Sequence, residues 1–158
     1  MEEKKLLQLL DDIKNNKMNA EEAIKRLKHL PFEDLGFAKI DHHRALRKGF
    51  PEVVFCQNKT IKQVGEIVKK LAENNSDVLA TRATEEMFKE VKKFIKNAQY
   101  NRISKTITIK KFRGRASKFF SKKILVISAG TSDIPVAEEA AVTAETMGNK
   151  VERLYDVC

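Results

Sequence analysis

A short apolar run that breaks into a polar loop and then into an alanine-rich helix is the feature that most constrains this fold. Ile124–Ile127 form the run, residues 128–133 form the loop Ser-Ala-Gly-Thr-Ser-Asp, and alanines stand at positions 137, 140, 141 and 144. In open α/β sheets such a junction lies at the carboxyl end of a strand, where ligands bind. Backbone N–H groups of the loop and the N-terminus of the helix both favour an anion. The sequence therefore predicts an anion-binding site at this loop.

A second strand follows the helix, so the segment is predicted to be a βαβ unit. The residues at its ends are typical of helix boundaries: Pro135 in the first turn, Ser132 or Asp133 near the cap, and Gly148 with Asn149 at the end. Residues 151–157 then form the second strand. Both strands end at one sheet edge, so Tyr155 and Asp156 are expected beside the loop. Neither a Gly-Lys-Ser/Thr P-loop nor a Gly-x-Gly-x-x-Gly fingerprint is present.

The chain before this unit alternates between helical and strand patterns, which indicates an α/β class. Apolar residues at helical spacing predict a helical hairpin over residues 2–15 and 19–30, with Asn19 as a cap. Short strands are expected at 38–41, 52–56 and 78–81, and helices are expected after Thr60 and Thr84. The inner face of the last helix is predicted to consist of Met87, Phe88, Val91, Phe94 and Ile95.

Three arginines stand where they could hold an anion. Arg44 and Arg47 are three residues apart and could share one face, although a solvated basic turn is the alternative. Arg82 comes directly after the strand predicted at 78–81. His42 and His43 are adjacent and would face opposite sides of a strand, and no third His or Cys follows at ligand spacing, so no metal site is predicted there.

Charge is distributed unevenly along the chain, whose net charge is +9. From Lys89 to Lys123 there are 13 Lys and Arg residues against one acidic residue. Alternation from Ile103 to Lys111 predicts a half-exposed strand, and a basic loop with Phe112, Phe119 and Phe120 follows. Such a stretch could bind single-stranded nucleic acid, but a linker between two domains is favoured, so nucleic acid is an unexpected partner.

Two cysteines, Cys56 and Cys158, and an acidic opening without a signal peptide favour a reducing cytoplasm. No apolar run approaches the roughly 18 residues that cross a bilayer, so no membrane partner is expected. Two strands and one helix cannot bury both faces of a parallel sheet. We therefore expect an N-terminal fragment, because a doubly wound domain of this kind needs roughly 80 to 120 more residues.

Several segments resemble the LarB family, the pyridinium-3,5-biscarboxylic acid mononucleotide synthases of nickel-pincer cofactor biosynthesis. The resemblance lies in residues 34–55, 78–83, 128–145 and 155–157. It implies a helical hairpin at 1–31, a small α/β lobe with a basic linker strand at 32–120, and the start of a PurE-like catalytic domain at 121–158. That last domain is the first βαβ unit of a flavodoxin-like parallel three-layer sandwich.

The resemblance also implies an activity and its site. Family members carboxylate the pyridinium ring of nicotinic acid adenine dinucleotide and release AMP, with CO2 or bicarbonate as co-substrate, Mg2+ assistance, PurE-like homo-oligomers and no tightly bound organic cofactor. Carried over, the substrate-binding residues are Ser128, Gly130, Thr131, Ser132, Asp133, Tyr155 and Asp156, and Asp133 is the expected catalytic residue. From their placement in the sequence, Arg44, Arg47 and Arg82 are added as substrate-binding candidates.

The sequence departs from the family pattern at its last residue. Cys158 stands where the family continues with glycine, and the family's transient cysteine nucleophile lies further downstream, so neither Cys158 nor Cys56 replaces it. Two alternatives stay open: a purine-pathway PurE carboxylase or mutase, favoured by the Gly-Thr-Ser-Asp loop, and a non-enzymatic basic module that binds nucleic acid or an acidic partner.

Overall fold

The computed structural model describes residues 3–23, 32–41, 52–73, 77–110 and 123–157. The chain divides into two compact units, Met1–Glu52 and Val53–Cys158. The division at residues 31 and 120 that the sequence suggests stays a prediction. Arg44, Arg47, His42, His43, Cys158 and the basic loop from Phe112 to Phe120 lie outside the described residues.

The first unit contains a helix, a capped helical turn and a small β-hairpin. Helix α1 (Glu3–Lys14) is confirmed. The Glu22 N–H donates to Asn19 Oδ1 at 2.7 Å, which confirms the predicted cap. The rest of the predicted second helix, residues 24–30, lies outside the described residues. Leu9, Met18 and Ala23 form a buried apolar cluster. Strand β1 (Phe32–Asp34) pairs antiparallel with β2 (Lys39–Asp41), close to the predicted strand at 38–41.

The second unit begins with a four-stranded mixed sheet. Its strands are β3 (Val53–Phe55), β4 (Val78–Thr81), β5 (Gln99–Asn101) and β6 (Thr106–Ile109), in the order β3-β4-β6-β5. Helix α2 (Ile61–Glu73) connects the parallel pair β3 and β4, and α3 (Glu85–Phe94) follows β4. All four residues of β4 are buried, as expected for a strand inside the sheet.

Both helices of this lobe begin at the threonines that the sequence indicated. Thr60 and Gln63 form a reciprocal capping box: the Gln63 N–H donates to Thr60 Oγ1 at 3.2 Å, and the Thr60 N–H donates to Gln63 Oε1 at 2.9 Å. Thr84 Oγ1 accepts from the Met87 N–H at 3.3 Å. The local sequence therefore predicted both helix starts.

Three sequence predictions in this lobe are wrong. Phe94, the last residue of α3, does not face inward: it is 53% exposed, and the Lys69 ammonium lies 5.4 Å from the centre of its ring. Ile103 does not begin a strand, since residues 102–105 form the turn between β5 and β6. Asn101 Oδ1 accepts from the N–H groups of Ile103 and Ser104 at 3.0 and 3.1 Å and so closes that turn. Strand β6 lies between β4 and β5, so it is buried rather than half-exposed.

The predicted βαβ unit is present. Strand β7 (Lys123–Ser128) leads through a 3-10 turn (Thr131–Asp133) into α4 (Ile134–Thr146) and then β8 (Lys150–Tyr155). The strands are parallel and in register from Lys123 opposite Lys150 to Ser128 opposite Tyr155. The α/β class is therefore confirmed. No helix among the described residues is both long and apolar enough to cross a membrane.

Helix α4 packs on β7 and β8 and also contacts β4 and β6. Its buried face consists of Ala137, Glu138, Ala141 and Val142. Of the alanines at positions 137, 140, 141 and 144, Ala140 is exposed, and so is the neighbouring Val136. The helix is thus the element through which the βαβ unit meets the mixed sheet.

Candidate functional site

The loop after β7 carries its polar side chains at the surface. Thr131, Ser132 and Asp133 are exposed. Asp133 occupies the cap position of α4, as predicted, but its side chain makes no capping hydrogen bond. A Cβ built on Gly130 would lie 3.5 Å from Asp133 Oδ2 and 3.6 Å from Ser132 Oγ, so this carboxylate and this hydroxyl converge above the glycine. The loop therefore presents a carboxylate and hydroxyls at the start of a helix.

Ser128 contributes a buried hydroxyl to the same loop. Its residue is only 8% exposed, and its Oγ has no hydrogen-bond partner among the described residues. Ser128 lies opposite Tyr155 in the parallel register, so both side chains project to the face of the strands that α4 covers. A buried hydroxyl without a partner costs about 1–3 kcal/mol, which a ligand or water contact would recover.

Tyr155 lies beside the loop, but its hydroxyl is already bound. It donates to Glu138 Oε2 at 2.8 Å. Burial and the neighbouring Glu138 carboxylate raise the pKa of Tyr155. Asp156 follows with φ +59° and is exposed, and the Val157 N–H donates to Ser128 O at 3.3 Å. The end of β8 is therefore tied to the start of the loop, which brings Ser128, Tyr155 and Asp156 together.

Glu138 is the centre of a polar cluster that joins three elements. This residue is 8% exposed and accepts hydrogen bonds from Arg153 Nε, Tyr155 Oη and Asn101 Nδ2, each at 2.8 Å. Burial acts to raise the pKa of Glu138, but the hydrogen bonds from Arg153, Tyr155 and Asn101 outweigh it and lower that pKa. The carboxylate thus stays charged while it holds the β5 end, α4 and β8 together.

Arg153 completes this cluster. Its Nη1 and Nη2 donate to the two oxygens of Glu145 at 2.6 and 2.9 Å, while its Nε is bound to Glu138. The hydrogen bonds to Glu145 and Glu138 raise its pKa. Every nitrogen of this guanidinium is therefore engaged by α4.

Arg82 reaches the other flank of α4. It follows β4 with φ +54°, and its Nε lies 2.9 Å from Glu139 Oε2. Of the three arginines predicted to hold an anion, it is the one within the described residues, and it lies against α4. The ligand roles of all the predicted site residues stay predictions.

Cys56 has no features of a nucleophile. It is fully buried, and burial raises the pKa of its thiol to about 11, although Lys59 acts to lower it. A thiol with this pKa is almost wholly protonated near neutral pH. Within the described ranges, no three His, Cys, Asp or Glu side chains are grouped as a metal site.

Comparison with known proteins shows the family to which the chain belongs. Residues 32–111 match the LarB/PurE-like N-terminal domain, which is half of the 158 residues. The chain belongs to the LarB/PurE-like family. It is also 37% identical over 160 residues to an uncharacterized protein of Methanocaldococcus jannaschii. That match covers 98% of this chain and 62% of the relative, so the chain spans less than two thirds of the relative's length.

The family match covers only part of the candidate site. Arg82 and Asn101 lie inside the matched domain, whereas the loop at 128–133, Glu138 and Tyr155 lie beyond it. The M. jannaschii match extends over nearly the whole chain and so includes both parts. The cluster around Glu138 therefore joins the family's N-terminal domain to the segment that carries the loop.

Sequence reasoning missed Glu138, Arg153 and Asn101. One signal was available, since Glu138 lies on the same helical face as Ala141 and Val142, which makes it an acidic residue on an apolar face. Another was that Arg153 lies two residues before Tyr155 on a strand and so shares its face. Their pairing could not be inferred, because it depends on contacts distant in sequence.

Proposed function

We propose that this chain forms the nucleotide-binding part of a LarB-type enzyme. Its reaction is the carboxylation of the pyridinium ring of nicotinic acid adenine dinucleotide with hydrolysis of the phosphoanhydride, giving pyridinium-3,5-biscarboxylic acid mononucleotide and AMP. Family membership supports the reaction class. The single observation that carries the site is the buried, unpartnered hydroxyl of Ser128 beneath a loop that opens a 13-residue helix.

The loop residues have distinct proposed roles. Ser128, Gly130, Thr131 and Ser132 bind the phosphate and ribose or the ring carboxylate, since backbone N–H groups and the helix N-terminus favour an anion. Asp133 is the catalytic carboxylate because it is exposed and its side chain makes no capping hydrogen bond. Tyr155 offers its ring to the ligand, since its hydroxyl is committed to Glu138.

The proposal includes a co-substrate and a metal ion, as the resemblance to the family implies. CO2 or bicarbonate supplies the new carboxyl group. Mg2+ fits the donor set only together with a ligand phosphate, because Asp133 offers a single carboxylate and Mg2+ is commonly held by one or two carboxylates plus phosphates. Bound there, the ion would neutralise phosphate charge. No covalent step is assigned to Cys56, whose thiol is buried. Assembly into homo-oligomers is part of the proposal.

Replacement of Asp133 tests the site. In a full-length family member carrying this loop, Asp133→Ala should lower AMP release from nicotinic acid adenine dinucleotide and bicarbonate at least about 100-fold. The unfolding midpoint should stay unchanged, because the side chain is exposed. Asp11→Ala, which removes another exposed carboxylate, is the matched control and should keep full activity.

The same assay separates the proposed substrate from the purine-pathway alternative. Aminoimidazole ribonucleotide is offered in place of the dinucleotide. Turnover of the purine intermediate alone would show that the chain belongs to a PurE-type carboxylase or mutase. A fully active Asp133→Ala protein would show that the catalytic assignment is wrong.

A further inference from the structure

Two arginines contact α4, and they differ in how far their donors are used. Arg153 has all three nitrogens engaged by Glu138 and Glu145. Arg82 approaches Glu139 through Nε, and its guanidinium meets no second carboxylate among the described residues. A guanidinium carries five N–H donors in a planar fork that suits phosphate and carboxylate. Arg82 therefore retains donors for an anion, whereas Arg153 does not.

Exposure and backbone geometry also set Arg82 apart. Its side chain is 46% exposed, so a ligand in solvent can reach it, while Glu139 is 23% exposed. Its φ of +54° lies in the left-handed region, which a non-glycine residue seldom adopts. Backbone conformations of this kind cluster at ligand-binding positions. Here the conformation lies directly after β4, in the turn that leads into α3.

Glu139, which pairs with Arg82, lies on the helix that follows the loop. Glu139 lies six residues beyond Asp133, which corresponds to about 9 Å along the helix axis. The unpartnered Ser128 hydroxyl and the exposed Asp133 carboxylate mark one end of that span, and the guanidinium marks the other. A ligand with two anionic groups, such as a mononucleotide of a carboxylated ring, has one group for the loop and one for the guanidinium.

We propose that Arg82 is a second anion-recognition residue of this site and that Glu139 is its resident counter-ion, which the ligand anion displaces. The identity of the ligand rests on the proposed function, but the role of Arg82 in binding an anion does not. Glu139 competes with the ligand for one guanidinium. Removing its charge should therefore strengthen anion binding, whereas removing Arg82 should weaken it.

The experiment uses this 158-residue chain with two probes, inorganic phosphate followed by 31P NMR and nicotinic acid mononucleotide followed by calorimetry. Glu139→Gln should tighten binding of each probe about fivefold, and Arg82→Gln should weaken it at least about tenfold. The double variant should match Arg82→Gln, because the gain from Glu139→Gln requires the arginine. Arg82→Lys, which keeps the charge but not the fork, should be intermediate.

A second ion pair on the lobe provides the matched control. Arg102 Nη2 lies 3.3 Å from Glu85 Oε1, and both side chains are exposed. Glu85→Gln and Arg102→Gln should leave binding of both probes unchanged, and circular dichroism should show native folding in every variant.

The results test the role of Arg82 separately from the proposed function. The Arg82 assignment is overturned if Glu139→Gln leaves binding unchanged or weaker, or if its gain persists without Arg82. Absence of phosphate binding in both the wild type and Glu139→Gln overturns it as well. Arg82-dependent phosphate binding without any mononucleotide binding keeps the assignment and rejects the proposed function instead.

Discussion

Glu138 accepts hydrogen bonds from residues of β5 and β8 while almost wholly buried. A buried carboxylate is stable only while its donors remain, and those donors are left unpaired when it is removed. We expect Glu138→Gln to lower the free energy of unfolding by about 2 kcal/mol. Urea denaturation measures this change. Glu152→Gln removes an exposed pair with Lys123 and should cost far less, so equal losses would contradict the role of burial.

The stabilisation by Glu138 should be lost at acidic pH. The pKa of Glu138 in the folded chain is lowered from its ordinary value of 4.5, so its carboxylate binds protons less readily when folded than when unfolded. Its stabilising contribution is complete above pH 4.5 and is lost as the pH falls through the folded pKa. The difference in stability between wild type and Glu138→Gln should therefore be constant from pH 6 to 8 and shrink toward pH 3. A constant difference down to pH 3 would contradict this linkage.

Cys56 should be chemically inert in the folded protein. Its thiol is buried and has a pKa of about 11, so little thiolate exists at pH 8 and reagents cannot reach it. In a Cys158→Ser variant, an aromatic disulfide reagent should modify Cys56 at least about 100-fold more slowly than in urea. Rapid stoichiometric modification of the native protein would show that Cys56 is accessible.

At the level of elements, local sequence predicted the helix boundaries well. Asn19, Thr60 and Thr84 each bind backbone N–H groups of the turn that follows, so the signal lies within four residues. The turn at 102–105 was missed because it contains no glycine or proline, and the Asn101 side chain closes it instead. Once β6 is placed between β4 and β5, its burial follows from pairing that local alternation cannot reveal.

For the candidate site too, the sequence predicted some features and not others. The loop at 128–133 and the nearby strand end at Tyr155 follow from the βαβ pattern, since parallel strands end at one edge. The partners of Arg82 and Asn101 on α4 do not, because Glu138 is 37 residues from Asn101 along the chain. Contacts of this separation depend on how α4 meets the mixed sheet. The sequence therefore predicted the position of the loop better than the contacts that hold α4 against the mixed sheet.

In the whole molecule, helix α4 covers one face of the β7–β8 pair, and apolar side chains on the opposite face are exposed. Ser128, Arg153 and Tyr155 lie on the side that α4 covers. On the opposite side, Leu125, Ile127 and Leu154 are 52%, 55% and 46% exposed. Parallel sheets in stable domains are covered on both faces, and an exposed apolar face with unpaired strand edges is a template for association. This face, defined by Leu125, Ile127 and Leu154, is the surface on which we expect copies of this chain to associate.

Lysine substitutions on this face should therefore reduce self-association. The wild-type chain should show a mass in sedimentation equilibrium that rises with concentration, and Leu125→Lys with Ile127→Lys should bring it to the monomer value, because two buried charges oppose the contact. Ile103→Lys is the matched control, since Ile103 is 54% exposed in the turn between β5 and β6. A wild type that stays monomeric at millimolar concentration, or equal effects of both sets of lysines, would contradict the assignment of this face. A mass that falls only in the Leu125 and Ile127 variant would place the association surface on the uncovered side of β7 and β8, away from the anion-binding loop.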